Sequence, residues 1–137
     1  MRNRYVGRSF IQPEQAMRQQ GIDPNTIEVI LVTHMHGDHC GGVPFLLLDA
    51  MLGAKRTTPL VVAGPPGTLG RMEALKDALF PGSQAMKARF PYRYVEMAPG
   101  APNDVDGIRV TPFPALHTPE TSPTMLRVEC GGRVLMY

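Results

Sequence analysis

Cysteine is scarce in this chain of 137 residues: Cys40 and Cys130 stand far apart, with no CxxC spacing. That pattern excludes a disulfide framework and a thiolate zinc site, and it fits a reducing cytoplasm. Long apolar runs are absent too. No stretch approaches the ~18 consecutive apolar residues of a membrane span, and the N-terminal arginines are not followed by the apolar segment of an export signal. Neither export nor membrane insertion is expected.

A basic stripe is also missing. The formal charge is +2, but Arg2, Arg4, Arg8 and Arg18 against Glu14 give the first 18 residues +3, leaving −1 for the rest. A large nucleic acid gripped along its phosphates is therefore not the expectation for this portion. The segment Gly64-Pro65-Pro66-Gly67-Thr68 has the look of a phosphate loop but lacks the lysine of a Walker motif. It reads as a turn into a helix.

Proline is plentiful, at 14 residues, about twice the ~5% average. The prolines are scattered beside glycines and punctuate short elements, which fits one modest α/β domain. A helix is expected from Pro13 to Gln20, stopped by Gly21. Residues 27–32 form a β-branched apolar run that reads as a buried strand, as do residues 59–63. Helices are expected over Val43–Leu52 and over residues 68–80, the second with Thr68 as N-cap and Met72, Leu75 and Leu79 on one face. Four shorter strands follow, over residues 92–97, 107–113, 124–130 and 133–137, with Gly131-Gly132 as a hairpin signal between the last two. Met72, Met86, Met97, Met125 and Met136 are expected in the core. Residues 1–12 read as an irregular tail, and the apolar strand at residues 133–137 has no closing turn. Both ends read as cut.

The chain has four histidines, and three of them fall within Thr33-His34-Met35-His36-Gly37-Asp38-His39. Imidazole and carboxylate supply zinc or a related metal with borderline-to-hard ligands around an open coordination sphere. His34 and His36 are two positions apart, so in extended backbone their side chains start on the same side. Gly37 permits the reversal that would bring Asp38 and His39 round to a neighbouring position. The cluster also sits at the end of a buried strand, where open α/β sheets place their ligands. Two ions sharing a hydroxide would perform hydrolysis. Asp38 could also orient the attacking water as a general base. Cys40 reads as a small apolar filler, and the following helix near Gly41-Gly42 would aim its amides at the cluster.

His34-x-His36-x-Asp38-His39 after a hydrophobic strand, followed by Gly41-Gly42 and an apolar helix, closely resembles the signature of the metallo-β-lactamase superfamily. Gly-Gly-Val-Pro-Phe-Leu-Leu-Leu from Gly41, then Ala63-Gly64-Pro65-Pro66-Gly67, and Leu116-His117 ahead of Leu126-Arg127-Val128-Glu129 resemble its ribonuclease Z-like branch. The resemblance implies an αββα sandwich, about half of it present. It implies His34, His36 and His117 on one zinc ion and Asp38 and His39 on a second. It also implies a phosphodiester-cleaving hydrolase that uses a zinc-activated hydroxide. The family's bridging Asp and final His have no counterpart here. Two alternatives stay open: a truncated or degenerate paralogue with one metal or none, and a hydrolase of another ester such as an aryl sulfate. A small phosphodiester or RNA as substrate, a homodimer and a cytoplasmic location complete the expectations.

Overall fold

A computed structural model describes residues 3–6 and 12–137, for residues 3–6 as backbone only. Two four-stranded sheets carry the architecture. The first is parallel, in the order β1 (Asn3–Val6), β2 (Ile27–Leu31), β3 (Leu60–Gly64), β4 (Tyr92–Glu96). The second is antiparallel, in the order β5 (Asn103–Val105), β6 (Ile108–Pro114), β7 (Thr124–Cys130), β8 (Arg133–Met136).

Crossovers running one way across a parallel sheet lay their helices on one face. The helices α1 (Pro13–Gln19), α3 (Val43–Leu52) and α4 (Thr68–Leu79) lie side by side there, α1 against α3 and α3 against α4. The short turn of helix α2 (Gly37–Cys40) precedes α3.

Side chains alternate across a strand, and here each face has its own core. Val29, Leu31, Val61 and Ala63 pack against Met97, Val105, Ile108, Val110, Leu126 and Val128 between the two sheets. Val32, Leu60 and Val62 face the other way, onto Val43, Leu47 and Ala50 of α3, Met72 of α4 and Phe90. β3 is buried along its whole length, the expected state of a parallel strand covered on both faces. Each fully buried Leu or Val contributes about 1.5–3 kcal/mol relative to exposure. Among the described residues the layers are therefore helix, sheet and sheet.

One buried cation ties the sheet's lower end together. Arg56, 3% exposed, donates from Nε to Thr58 O at 2.7 Å, from Nη1 to Pro24 O at 3.2 Å, and from Nη2 to Ile27 O and Pro59 O at 2.6 Å each. Its guanidinium also lies 5.7 Å from the Phe90 ring centroid. Burial pushes its pKa down, against a smaller opposing pull from Asp23 and Glu28. It joins the segments that enter β2 and β3, so both strands start from one anchor.

Several expectations are corrected. Asn3–Val6 pairs in parallel with β2, so that part of the expected irregular tail of residues 1–12 is an edge strand. Residues 1, 2 and 7–11 of it lie outside the described residues. Thr68 is not the N-cap of α4. Gly67, at φ 91, holds that position, and buried Thr68 donates from Oγ1 to Pro65 O at 2.6 Å. The acid missing from the local sequence comes instead from β4, where Glu96 Oε1 accepts from Leu69 N at 3.1 Å. Met72 and Met97 are core residues and Met86 is half-buried, but Met125 and Met136 are exposed. They point away from the inter-sheet core, opposite their neighbour Leu126 in the case of Met125. Gly131-Gly132 makes the expected hairpin, with φ 56 and 73, the left-handed pair that a two-residue turn of this twist demands. No helix is long and apolar enough to cross a membrane among the described residues.

Candidate metal centre

The cluster lies where β2 leaves the sheet. Val32 N still donates to Ala63 O at 2.8 Å, and the next residues swing off towards the other sheet. Thr33 O accepts from Thr124 N at 3.0 Å and from Thr124 Oγ1 at 2.7 Å. Met35 N donates to Thr121 O at 3.1 Å. These bonds join the histidine loop to the β6–β7 connection, and that connection carries His117. Two loops distant in sequence thereby become one site.

His34 is central, with its ring centroid 4.0 Å from His39, 4.9 Å from His117 and 5.1 Å from His36. One ligand atom each from His34, His36 and His117 lie within 4.8 Å of one another. His117 Nε2 and His36 Nδ1 are 3.1 Å apart, a spacing at which a proton or a cation must sit between two nitrogen lone pairs. His34 is 8% exposed. Its Nδ1 lies 2.9 Å from Thr33 Oγ1, while its Nε2 is buried with no hydrogen-bond partner among the described residues. An orphaned buried nitrogen costs about 1–3 kcal/mol of desolvation, and a cation would satisfy it. In the tautomer whose Nδ1 donates to Thr33 Oγ1, the Nε2 lone pair is left free, the usual arrangement behind a metal-ligating imidazole.

Electrostatics agree with this geometry. Burial, then the imidazoles of His39, His117 and His36, hold the His34 ring below the ordinary imidazole range, against a smaller pull from Asp38. The neutral ring is the ligating form. These residues fit a divalent or borderline cation.

Asp38 and His39 stand beside this triad rather than in it. Both lie on α2, and Asp38 Oδ2 is 3.3 Å from His39 Nε2 with the Asp38 side chain 74% exposed. Gly37 has no positive φ and open space where a Cβ would be, so the reversal does not require glycine there, against expectation. The demand falls on Gly64 instead. A Cβ there would stand 2.4 Å from Thr68 Oγ1 and 3.4 Å from Met35 Cε, directly behind the histidine loop. The helix expected over Val43–Leu52 is α3, with Gly42 as its N-cap, while the amides of His39, Cys40 and Gly41 just before it are committed to His36 O and Gly37 O. Cys40 is fully buried among Val32, Met35 and Val43, an apolar filler as expected.

The hydrogen bonds that tie Thr121 and Thr124 to the histidine loop are missed by sequence reading, because threonines beside prolines carry no metal signature. A cavity of about 360 Å³ adjoins the triad and shares His117 with it; its proline-rich walls are spread over three connections, β3–α4, β4–β5 and β6–β7, which no local motif announces.

The comparisons with known proteins agree with this geometry. The Beta-lactamase superfamily domain matches residues 6–137. The ribonuclease Z of Mycobacterium marinum is 27% identical over 135 residues, covering 92% of this chain and 47% of its own length. That of Salinibacter ruber is 38% identical over 80 residues, covering 58% of this chain and 23% of its own. Among solved structures, human tRNase Z, short form, superposes with a TM-score of 0.72 at 20% identity, over 97% of this chain and 56% of that one. The chain thus spans about half or less of the length of the curated relatives it matches. Signature, fold and curated relatives together show that the chain belongs to the metallo-β-lactamase superfamily, in its ribonuclease Z-like branch.

Proposed function

We propose that this chain carries the first metal site of a zinc-dependent hydrolase that cleaves phosphodiester bonds in nucleic acid. The observation that carries the reading is the convergence of His34, His36 and His117 around the partnerless Nε2 of His34. A three-nitrogen set with an open fourth position suits catalytic zinc. The ion, when bound, supplies Lewis acidity towards the phosphoryl oxygens and acidifies water. The relatives named ribonuclease Z support nucleic acid as the substrate class.

The chain's own residues do the rest. The Thr33 hydroxyl holds the His34 ring in its ligating tautomer. His39, packed on the His34 ring and paired with Asp38, steadies the Asp38 carboxylate. Asp38, exposed at the mouth of the site, accepts a proton from the attacking water as general base. Asp38 and His39 are also the two protein ligands offered to a second ion, whose shell is completed by groups other than these five residues. The two thiols are free, in keeping with a cytoplasmic location.

The test is zinc content per chain together with hydrolysis of bis(p-nitrophenyl) phosphate and of p-nitrophenyl sulfate. One zinc bound with phosphodiester turnover is expected. Alanine at His34, His36 or His117 is expected to weaken zinc by at least about 100-fold, whereas Asp38→Ala retains that zinc and loses turnover. Turnover of the sulfate alone would favour the other ester class. Absence of both zinc and turnover would overturn the reading.

A further inference from the structure

The last strand of the parallel sheet carries an uneven charge. β4 closes the order of that sheet, so its outer edge meets no other strand among the described residues. From Lys87 to Tyr94 exposure alternates: Lys87, Arg89, Pro91 and Arg93 are exposed, Ala88, Tyr92 and Tyr94 are half-buried, and Phe90 is buried. The inward set anchors the segment. Phe90, Tyr92 and Tyr94 form a row of rings with centroids 5.8 and 6.0 Å apart, packed on the helix-facing core. Leu60 N donates to Pro91 O at 3.0 Å. The outward set is cationic.

This charge runs against its background. No acidic residue stands between Asp77 and Glu96. Residues 19–137 sum to −1, so the +3 of Lys87, Arg89 and Arg93 leaves −4 on the rest of them. The ion pairs among the described residues are made by Arg18, His39, Lys76 and Arg127, and these three cations stay unneutralised. A charge on an edge strand also guards it against pairing with another chain. A guard works with one charge of either sign, whereas three of one sign with no acid among them make a local positive field.

The same edge leads to the metal centre. β2, β3 and β4 run parallel, so the C-terminal ends of β2 and β4 lie at one end of the sheet. β2 ends in the histidine loop. β4 ends at Glu96, whose Oε1 accepts from Leu69 N at 3.1 Å, and Met97 N donates to Gly64 O at 2.8 Å, behind that loop. Arg93 therefore lies roughly 10 Å back along the strand from this end. Arg89 and Lys87 follow farther out.

We infer that the outer edge of β4 is a track for the phosphates of a single-stranded nucleic acid running away from the metal centre, with Arg93 its nearest contact. The inference deepens the phosphodiesterase reading given above and rests on it. Contacts to phosphate position a strand and carry no sequence information. The track thus adds affinity for length and none for base, and an ester with a single phosphate does not reach it.

The test titrates the chain into a fluorescein-labelled oligouridylate of about 12 nucleotides and follows anisotropy at several salt concentrations. The double change Arg89→Gln with Arg93→Gln is compared with Arg109→Gln with Arg133→Gln, which removes equal charge from exposed positions of the other sheet. The first pair is expected to weaken binding at least about tenfold at low salt, and to reduce the slope of log affinity against log salt by about 1.4. The second pair is expected to stay within about twofold of the parent, and hydrolysis of bis(p-nitrophenyl) phosphate to be unchanged in both. No binding by the parent, or equal losses in the two pairs, would overturn the track. So would polyglutamate of matched charge competing as well as unlabelled oligouridylate, since the edge then takes acidic protein. Should the RNA bind as expected while no phosphodiester is hydrolysed, the track stands and the activity reading fails by itself.

Discussion

Thr124 gives both its amide and its hydroxyl to the carbonyl oxygen of Thr33, at 3.0 and 2.7 Å. One residue from the antiparallel sheet thereby fixes the point at which β2 turns into the histidine loop. Thr124→Val keeps the shape and the amide bond and deletes the hydroxyl bond. A loss of about 1 kcal/mol in stability is expected. The site should feel it as well, with zinc affinity lower by several-fold because His117 is no longer held in register with His34. Chemical denaturation and a competitive zinc titration on the same variant measure the two effects separately.

Gly64 is required by its neighbour. Its missing Cβ would stand 2.4 Å from Thr68 Oγ1, and Thr68 is buried and bonded to Pro65 O. Gly64→Ala is expected to cost about 1–3 kcal/mol through overpacking. The double change Gly64→Ala with Thr68→Ala should recover part of that loss despite deleting a second native residue. Strict additivity in the double-mutant cycle would show that the contact is not the cause.

Arg56 anchors the opposite end of the sheet through the carbonyl oxygens of Pro24, Ile27, Thr58 and Pro59. Arg56→Met fits the volume but strands the buried carbonyls, so a loss of about 3 kcal/mol is expected. Lysine cannot reproduce the planar fork and should recover little. Zinc bound per folded molecule should stay the same, since the histidines lie at the far end of β2. Urea titration and zinc analysis of the folded fraction give the comparison.

Glu14 gives stability a pH dependence. Burial pushes its carboxyl above the ordinary value of 4.5, aided by Asp49 and opposed by its own backbone hydrogen bond and by Arg18, and its Oε2 has no hydrogen-bond partner among the described residues. A raised carboxyl pKa means that the folded chain binds more protons than the unfolded chain, so stability falls as pH rises above 4.5. Glu14→Gln removes that decline. It should be more stable than the parent at pH 7, by on the order of 1 kcal/mol, while below pH 4.5 the gap between the two should stop changing with pH. Thermal unfolding across this range tests the sign.

The interior of the fold was readable from residue types. Leu60-Val61-Val62-Ala63 could hardly be anything but a buried strand, and Gly131-Gly132 could only close a tight hairpin. The edges were harder. Asn3-Arg4-Tyr5-Val6 has no apolar alternation, because an edge strand is held by backbone bonds to β2. β5 has three residues, and its sole signal was Asp106-Gly107, whose φ values of 53 and 76 form another left-handed hairpin pair. At the site, His34 and His36 announced themselves through spacing, whereas His117 became legible only by family resemblance. Its placement depends on bonds from Thr121 and Thr124 to the histidine loop, and no spacing rule reaches across that separation.

The clamp between the two sheets also bears on when the site comes into existence. His34 and His36 can be neighbours as soon as β2 ends, but His117 joins them only once the antiparallel sheet has docked and Thr124 has found Thr33. On the proposed reading, metal retention would report the finished molecule: a chain with its sheets undocked offers a cation two imidazoles, and one that has closed offers three.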